Sequence, residues 1–235
     1  MMQKLHVILA AAGSSRRMQN VAQINKPYMM LEGRPVLAHS LTFFEALPFV
    51  EKIVIVAARD EVDFCREEVV EKFHFHKVLA ITPGGKERQQ SIFEGLKAFK
   101  REEAPQWVAV HDSARPFLDQ ALCVRLFEQV QKKRAVVPGV LVKDTMKQVD
   151  AAGWVENTPP RAQLRAIQTP QMFAFPALFE AYQRAEAEGF LGTDDAMLYE
   201  KYIGKVWVED TTWDNTKITT PQDWAWAQYR MKNWM

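Results

Sequence analysis

Between Leu9 and Gln19 the chain reads LAAAGSSRRMQ: an apolar run ends at Gly13, and two serines are followed by Arg16 and Arg17. Small residues let backbone N–H groups approach an anion closely, and arginines neutralise it. Taken alone, the stretch fits a solvated basic turn equally well. Residues of the same kinds recur further along. Lys26 precedes Pro27, Gly85 and Lys86 follow a Pro-Gly pair, and Asp112 and Arg115 stand in VHDSARP. Lys143, Thr145 and Arg161 flank a Gly153 turn, and Lys217 stands in DNTKIT. Each is ordinary by itself; His111 reads as structural. Together they form a basic set without a nucleophilic Ser/His or Cys/His pair. Phosphoryl-type transfer needs little covalent help from the protein, only positioning and positive charge on developing negative oxygens. Neither GxxxxGK[ST] nor GxGxxG is present, so the set matches no P-loop and no dinucleotide fingerprint.

These residues must be carried by regular elements. Short β-branched runs predict strands at Leu5–Ala11, Lys52–Ala57, Lys77–Ile81, Trp107–Val110 and Ala135–Val142. Helix-length stretches separate them: Arg34–Leu47 with Pro35 in the first turn, Glu61–Phe73, Glu87–Phe99 and Asp119–Lys133. That alternation predicts an α/β fold, a doubly wound and mostly parallel sheet with helices on both faces. In such a sheet ligands sit beyond the carboxyl ends of the strands. The first loop and VHDSARP fall there.

The rhythm breaks after Val142. A hairpin is expected, Val142–Val149 out and Trp154–Asn157 back, closed by Pro159-Pro160. An isolated hairpin is marginal in water, so a second copy of the chain is expected to cover it. Helices near Pro176–Glu188 and Asp194–Tyr202, a strand Lys205–Val208 and a last helix from Pro221 complete the reading; Lys217 is expected just before a further strand. Trp224, Trp226 and Trp234 of the last helix read as core or interface aromatics. With no linker, tract or repeat, residues 1–235 are expected to form one domain with a β-arm at about 142–165.

Composition excludes several classes. The 235 residues are 48% hydrophobic and 25% charged, with a formal net charge of +1. A nucleic-acid coat or an anionic-membrane binder would carry a basic excess. Cys65 and Cys123 lack metal-ligand spacing and read as thiols of a reducing compartment. The first residues, MMQKLHVILAAAG, lack the apolar length and cleavage site of a signal peptide, and no run approaches the ~20 apolar residues of a membrane span. A cytoplasmic protein is expected.

Taken in order, AAAGSSRRM, Lys26, PGGKERQQSI, VHDSARP, KDTMK, TPQMF, TDDA and DNTKIT resemble the 2-C-methyl-D-erythritol 4-phosphate cytidylyltransferase family, from about Val7 to Trp224. The resemblance implies a Rossmann-like nucleotidyltransferase fold, a homodimer joined by the arm, and a reaction: the acceptor's phosphate attacks the α-phosphorus of CTP and pyrophosphate leaves. It also implies Mg²⁺ held mainly by the CTP phosphates, with no metal ligands assigned in the protein. Arg17 and Lys26 would stabilise charge on the α-phosphate and leaving group. Backbone at Ala11, Ala12 and Gly13 would hold the nucleotide, and Gly85 and Ser91, with Lys86 beside them, would meet the cytosine. Asp112 and Arg115 would orient the polyol phosphate; Thr145, Arg161 and Lys217 would bind its phosphate, the first two across the dimer. Three positions depart from the family pattern. Pro27 stands where many relatives have Gln, Lys86 where an acidic residue often follows the glycines, and Ser113 where Ala is common. A ribitol 5-phosphate cytidylyltransferase would share fold, nucleotide and chemistry. A catalytically silent nucleotide-binding relative would be expected to have lost Arg17 or Lys26, and both are present.

Overall fold

The computed structural model describes residues 3–13, 25–101 and 104–233, so Arg16 and Arg17 lie outside the described residues. The chain begins with β1 (Leu5–Ala10), whose Leu5, Val7, Ile8 and Leu9 have no exposed surface. A strand apolar on both faces belongs in the middle of a parallel sheet, and β1 lies there. The short pair β2 (Met30–Leu31) and β3 (Arg34–Pro35) leads into α1 (Val36–Ala46). The helix therefore starts two residues later than expected, with Pro35 as its extended N-cap residue at ψ 144°. β4 (Val50–Ala57) follows. The stretch expected as one helix over 61–73 is instead a 3₁₀ turn at Arg59–Glu61, a single α turn, α2 (Val62–Cys65), and a wider turn at Arg66–Glu71.

Next come β5 (Val78–Pro83), α3 (Arg88–Arg101), β6 (Trp107–Asp112), α4 (Gln120–Lys133) and β7 (Ala135–Leu141). Asp119 caps α4 by accepting from the backbone N–H groups of Ala121 and Leu122, the expected role of an N-cap carboxylate. The hairpin is shorter than its apolar pattern suggests: β8 (Gln148–Val149) pairs with β9 (Val155–Asn157), and residues 142–147 make no ladder. Besides the short β2–β3 pair, two strands of the main sheet escaped the sequence reading, β10 (Arg165–Ile167) and β11 (Gln171–Ala174). α5 (Phe175–Glu188), α6 (Asp195–Tyr202), β12 (Trp207–Asp210) and α7 (Pro221–Lys232) close the chain. The strand β12 starts two residues later than expected. The segment after Lys217 is not a strand; Ile218 is held by one backbone hydrogen bond to Ala114.

The main sheet runs β10-β7-β11-β6-β1-β4-β5, with β12 on β7. β5, β4, β1 and β6 are parallel, and β12 is parallel to β7. β11 is antiparallel to both β6 and β7, and β10 to β7. The sheet is thus mixed but mostly parallel. One large apolar cluster runs through it and its flanking helices. A second, small cluster joins Met29, Leu31 and Val36 to Phe117, Ile218, Trp224 and Ala227. It ties the segment after Lys26, the loop after β6 and the segment after Lys217 to α7. Among the described residues no helix is long and apolar enough to cross a membrane.

Candidate active site

The carboxyl ends of β1, β5 and β6 open into one cavity of about 590 Å³, within the range of small-molecule sites. Three loops form its floor, and backbone bonds hold them together. Ala11 N–H donates to Val56 O, Gly84 N–H to Ala57 O, and Ser113 donates to Ala10 O from both backbone and hydroxyl. Gly84 is where the loops after β1 and β5 touch. A Cβ there would sit 2.6 Å from Ala12 Cβ and 2.8 Å from Ser91 Oγ. Gly84→Ala is therefore expected to cost about 1–3 kcal/mol by overpacking and to weaken nucleotide binding. Urea unfolding and a CTP titration check both effects, and a variant equal to the parent in both would contradict the close approach.

Most residues singled out from the sequence come together here. Ala11, Ala12, Gly13, Lys26, Gly85, Lys86, Ser91, Asp112 and Lys217 line the cavity. Ser91 Oγ accepts from Gly85 N–H and donates to Glu87 O, which folds the loop after β5 over the start of α3. Lys86 N–H donates to Gln90 Oε1, so the backbone N–H at this position is occupied within the loop, and the residue is exposed at the cavity wall. Arg115 is not among the lining residues. Its Nη1 donates to Asn215 O at 2.7 Å and its Nε lies 3.9 Å from Asp112 Oδ2. Thr145 and Arg161 are exposed beside the β8–β9 hairpin and do not line this chain's cavity; Arg161 donates to Lys143 O.

Asp112 is the electrostatic centre. Lys217 Nζ donates to its Oδ2 at 2.8 Å and Arg88 Nε to its Oδ1 at 3.3 Å. Burial opposes ionisation of this carboxyl, but Arg88, Lys217 and Arg115 outweigh it and hold it well below the usual carboxylate range. Burial pushes neighbouring His111 down to about 4, so its ring is neutral at pH 7. A neutral ring fits its contacts: Nε2–H donates to Arg115 O at 3.1 Å, and Nδ1 accepts from Thr169 Oγ1 at 3.0 Å. Thr169 Oγ1 in turn accepts from Asp112 N–H, and Asn215 Nδ2 donates to Thr169 O. The two segments carrying Asp112 and Lys217 are locked together by buried side chains, as His111's structural reading requires.

Sequence reasoning missed Arg88, Glu87, Pro27 and Thr219, which also line the cavity, and Thr169, Asn215 and Asp195 behind it. Arg88 resembles any charge in the first turn of a helix. Its partner Asp195 stands 107 positions later, so no local pattern could announce the pair.

A mostly parallel α/β sheet with a basic cavity at its strand ends, lined among the described residues by no Ser/His or Cys/His pair, fits an enzyme of the nucleotidyltransferase class. Comparison with known proteins narrows this: residues 5–233 match the model of the 2-C-methyl-D-erythritol 4-phosphate cytidylyltransferase family, and the chain belongs to that family. Its relatives include the 2-C-methyl-D-erythritol 4-phosphate cytidylyltransferase of Geotalea uraniireducens (strain Rf4), 42% identical over 98% of this chain and 97% of that protein. The protein of the same name from Clostridium acetobutylicum is 40% identical over 96% of each chain. Among solved structures, the 4-diphosphocytidyl-2C-methyl-D-erythritol synthase of Anaerococcus prevotii DSM 20548 superposes with a TM-score of 0.85 at 31% identity, covering 98% of this chain and 96% of that one. The 2-C-methyl-D-erythritol 4-phosphate cytidylyltransferase of Thermus thermophilus does so at 0.78 and 26% identity, over 98% of this chain and 100% of that one.

Proposed function

We propose that this protein transfers the CMP moiety of CTP to 2-C-methyl-D-erythritol 4-phosphate, releasing pyrophosphate and forming 4-diphosphocytidyl-2-C-methyl-D-erythritol. The observation that carries the reading is the cavity where Lys26, Lys86 and Lys217 meet two glycine-containing loops at the ends of parallel strands. An oxygen of the acceptor phosphate attacks the α-phosphorus as the bond to the bridging oxygen breaks. The acceptor phosphate is already an anion, so no base need activate it; orientation and charge neutralisation supply the rate. Lys26 and Arg17 stabilise the α-phosphate and leaving group. Backbone at Ala11, Ala12 and Gly13 cradles the triphosphate, and Gly85 and Ser91 face the base. Asp112 and Lys217 take the acceptor, while Arg115 acts from behind by holding Asp112 and Asn215.

A Mg²⁺ ion fits this set when carried on the triphosphate. Its two cavity carboxylates are Glu87 and Asp112, the latter already facing cations, and Mg²⁺ usually binds through one or two carboxylates plus substrate phosphates. Bound there, it would neutralise phosphate oxygens. The whole length, 1–235, acts as one nucleotidyltransferase unit, in a cytoplasmic setting that suits its two buried free thiols.

The working form is a homodimer joined by the hairpin. Trp154 is 76% exposed there, and Met146, Val149 and Val155 are also exposed; a cluster of exposed apolar side chains marks an interaction surface. Thr145 and Arg161 would then reach the partner's acceptor site. Arg161→Ala should chiefly raise the KM for the acceptor. Mixed with Lys26→Ala chains, it should recover part of the activity, because each mixed dimer holds one site with both residues intact. No recovery in verified mixed dimers would exclude sharing between subunits. The function itself is tested by incubating purified protein with CTP and each polyol phosphate. Turnover with 2-C-methyl-D-erythritol 4-phosphate is expected, and turnover with ribitol 5-phosphate alone would overturn the assignment.

A further inference from the structure

Arg88 opens α3 at the cavity wall, yet its guanidinium is turned into two carboxylates. Nη1 and Nη2 donate to Oδ1 and Oδ2 of Asp195 at 3.2 and 2.8 Å, and Nε donates to Asp112. Asp195 has no exposed surface, and the Tyr182 hydroxyl donates to its Oδ1. The two aspartates of TDDA have separate tasks: Asp194 caps α6 by accepting from Met197 N–H, which leaves Asp195 to Arg88. A buried carboxylate is costly unless its charge is met. Here the cation that meets it is one a phosphate could also claim, because a guanidinium fork fits phosphate as well as carboxylate.

We propose that Asp195 is a positioning residue for the transfer reaction, holding Arg88 off the nucleotide phosphates and on Asp112, whose other oxygen then directs the Lys217 ammonium into the cavity. The inference rests on the reading of the cavity as a nucleotide triphosphate site. Lys217 lies in a segment without helix or strand, so its bond to Asp112 sets where its remaining N–H groups point. An Arg88 released from Asp195 would grip the bound triphosphate. Grip made equally before and during reaction does not raise kcat, and a misplaced phosphate loses rate. The carboxylate therefore acts by preventing a contact.

The test is Asp195→Asn, which keeps size and removes charge, read by steady-state kinetics and by calorimetric titration with CTP and with inorganic tripolyphosphate. The expected result is a kcat lower by roughly 10–100-fold, together with tighter ground-state binding of both probes and a steeper loss of that binding with salt, since one more cation reaches the phosphates. Adding Arg88→Met to Asp195→Asn should return both affinities towards the parent's. Tyr182→Phe, which leaves the ion pair in place, should move the same quantities less far and serves if Asp195→Asn does not fold. A purely structural Asp195 would lower the unfolding midpoint while kcat and affinity per folded molecule stay at the parent's values; that outcome, or weaker probe binding, overturns the proposal. The parent controls separate the two readings. Tripolyphosphate binding without CTP turnover defeats the proposed function yet still reports on Arg88, and failure to bind either probe defeats both.

Discussion

Lys26→Ala should lower the rate of CMP transfer by at least ~10²-fold, the scale seen when a preorganised donor to a developing charge is removed. The change in thermal midpoint should be small, because the backbone that presents Lys26 is held by its neighbours. Lys26 begins a 3₁₀ turn, Lys26–Tyr28, in which Pro27 and Tyr28 are buried. Asn25 bonds to Glu61 on one side, and Val36 N–H donates to Met29 O on the other. Deleting the ammonium thus leaves the backbone bonds of the turn standing. Lys26→Arg restores charge with a different shape and should recover only part of the rate. Single-turnover measurements at saturating CTP separate the chemical step from binding, and a rate within a few-fold of the parent would refute the role. Arg17→Ala is expected to cost as much, on the sequence argument.

Asp112→Asn should be the most damaging change at the cavity to stability as well as turnover. It leaves Arg88, Lys217 and Arg115 facing one another without the carboxylate between them. Breaking a buried charge cluster costs ~3–5 kcal/mol, and the lower end applies because Arg88 and Lys217 remain 32% and 40% exposed. The pH dependence separates Asp112 from His111. A carboxyl held below its ordinary range lends stability that is present above the unfolded value, ~3.9, and is lost as pH falls through the folded value. His111, lowered by burial to about 4, lends stability present above its ordinary ~6.5 and lost as pH falls towards 4, because the unfolded chain takes up the proton first. In urea titrations the parent should lose stability in both windows. The Asp112→Asn variant should start lower at pH 7, keep the decline between pH 6.5 and 4, and be flatter below it. An unchanged midpoint at pH 7 would count against the cluster.

The central strands were legible because burial on both faces leaves nearly continuous apolar runs, as in Leu5–Ala10, broken by His6. What failed was the antiparallel insertion. Gln171–Ala174 is four residues long, follows a proline and passes straight into α5, so neither alternation nor a turn sets it apart. All four residues are buried between β6 and β7, a tertiary arrangement that no local pattern encodes. The site divides in the same way. Residues at strand ends, Ala11 to Gly13, Gly85 and Asp112, were found because the ends of parallel strands are where loops converge. Arg115 shares a motif with Asp112 and was grouped with the substrate, yet its guanidinium turns away to Asn215 O, a direction that spacing does not reveal. Arg88 and Asp195 are visible only once α3 and α6 are brought together.

The small apolar cluster around Trp224 sets a timetable for biosynthesis. It gathers Met29, Phe117 and Ile218, residues from near the start, the middle and the end of the chain, under a helix that begins at Pro221. A nascent chain can pair β1, β4, β5 and β6 long before that helix leaves the ribosome, but the apolar cluster that joins the segments bearing Lys26 and Lys217 lacks Trp224 and Ala227 until it does. A chain halted before residue 221 would keep the bonds of Lys217 to Asp112 and of Ile218 to Ala114, but would leave Met29, Leu31 and Phe117 without the apolar cover of Trp224 and Ala227.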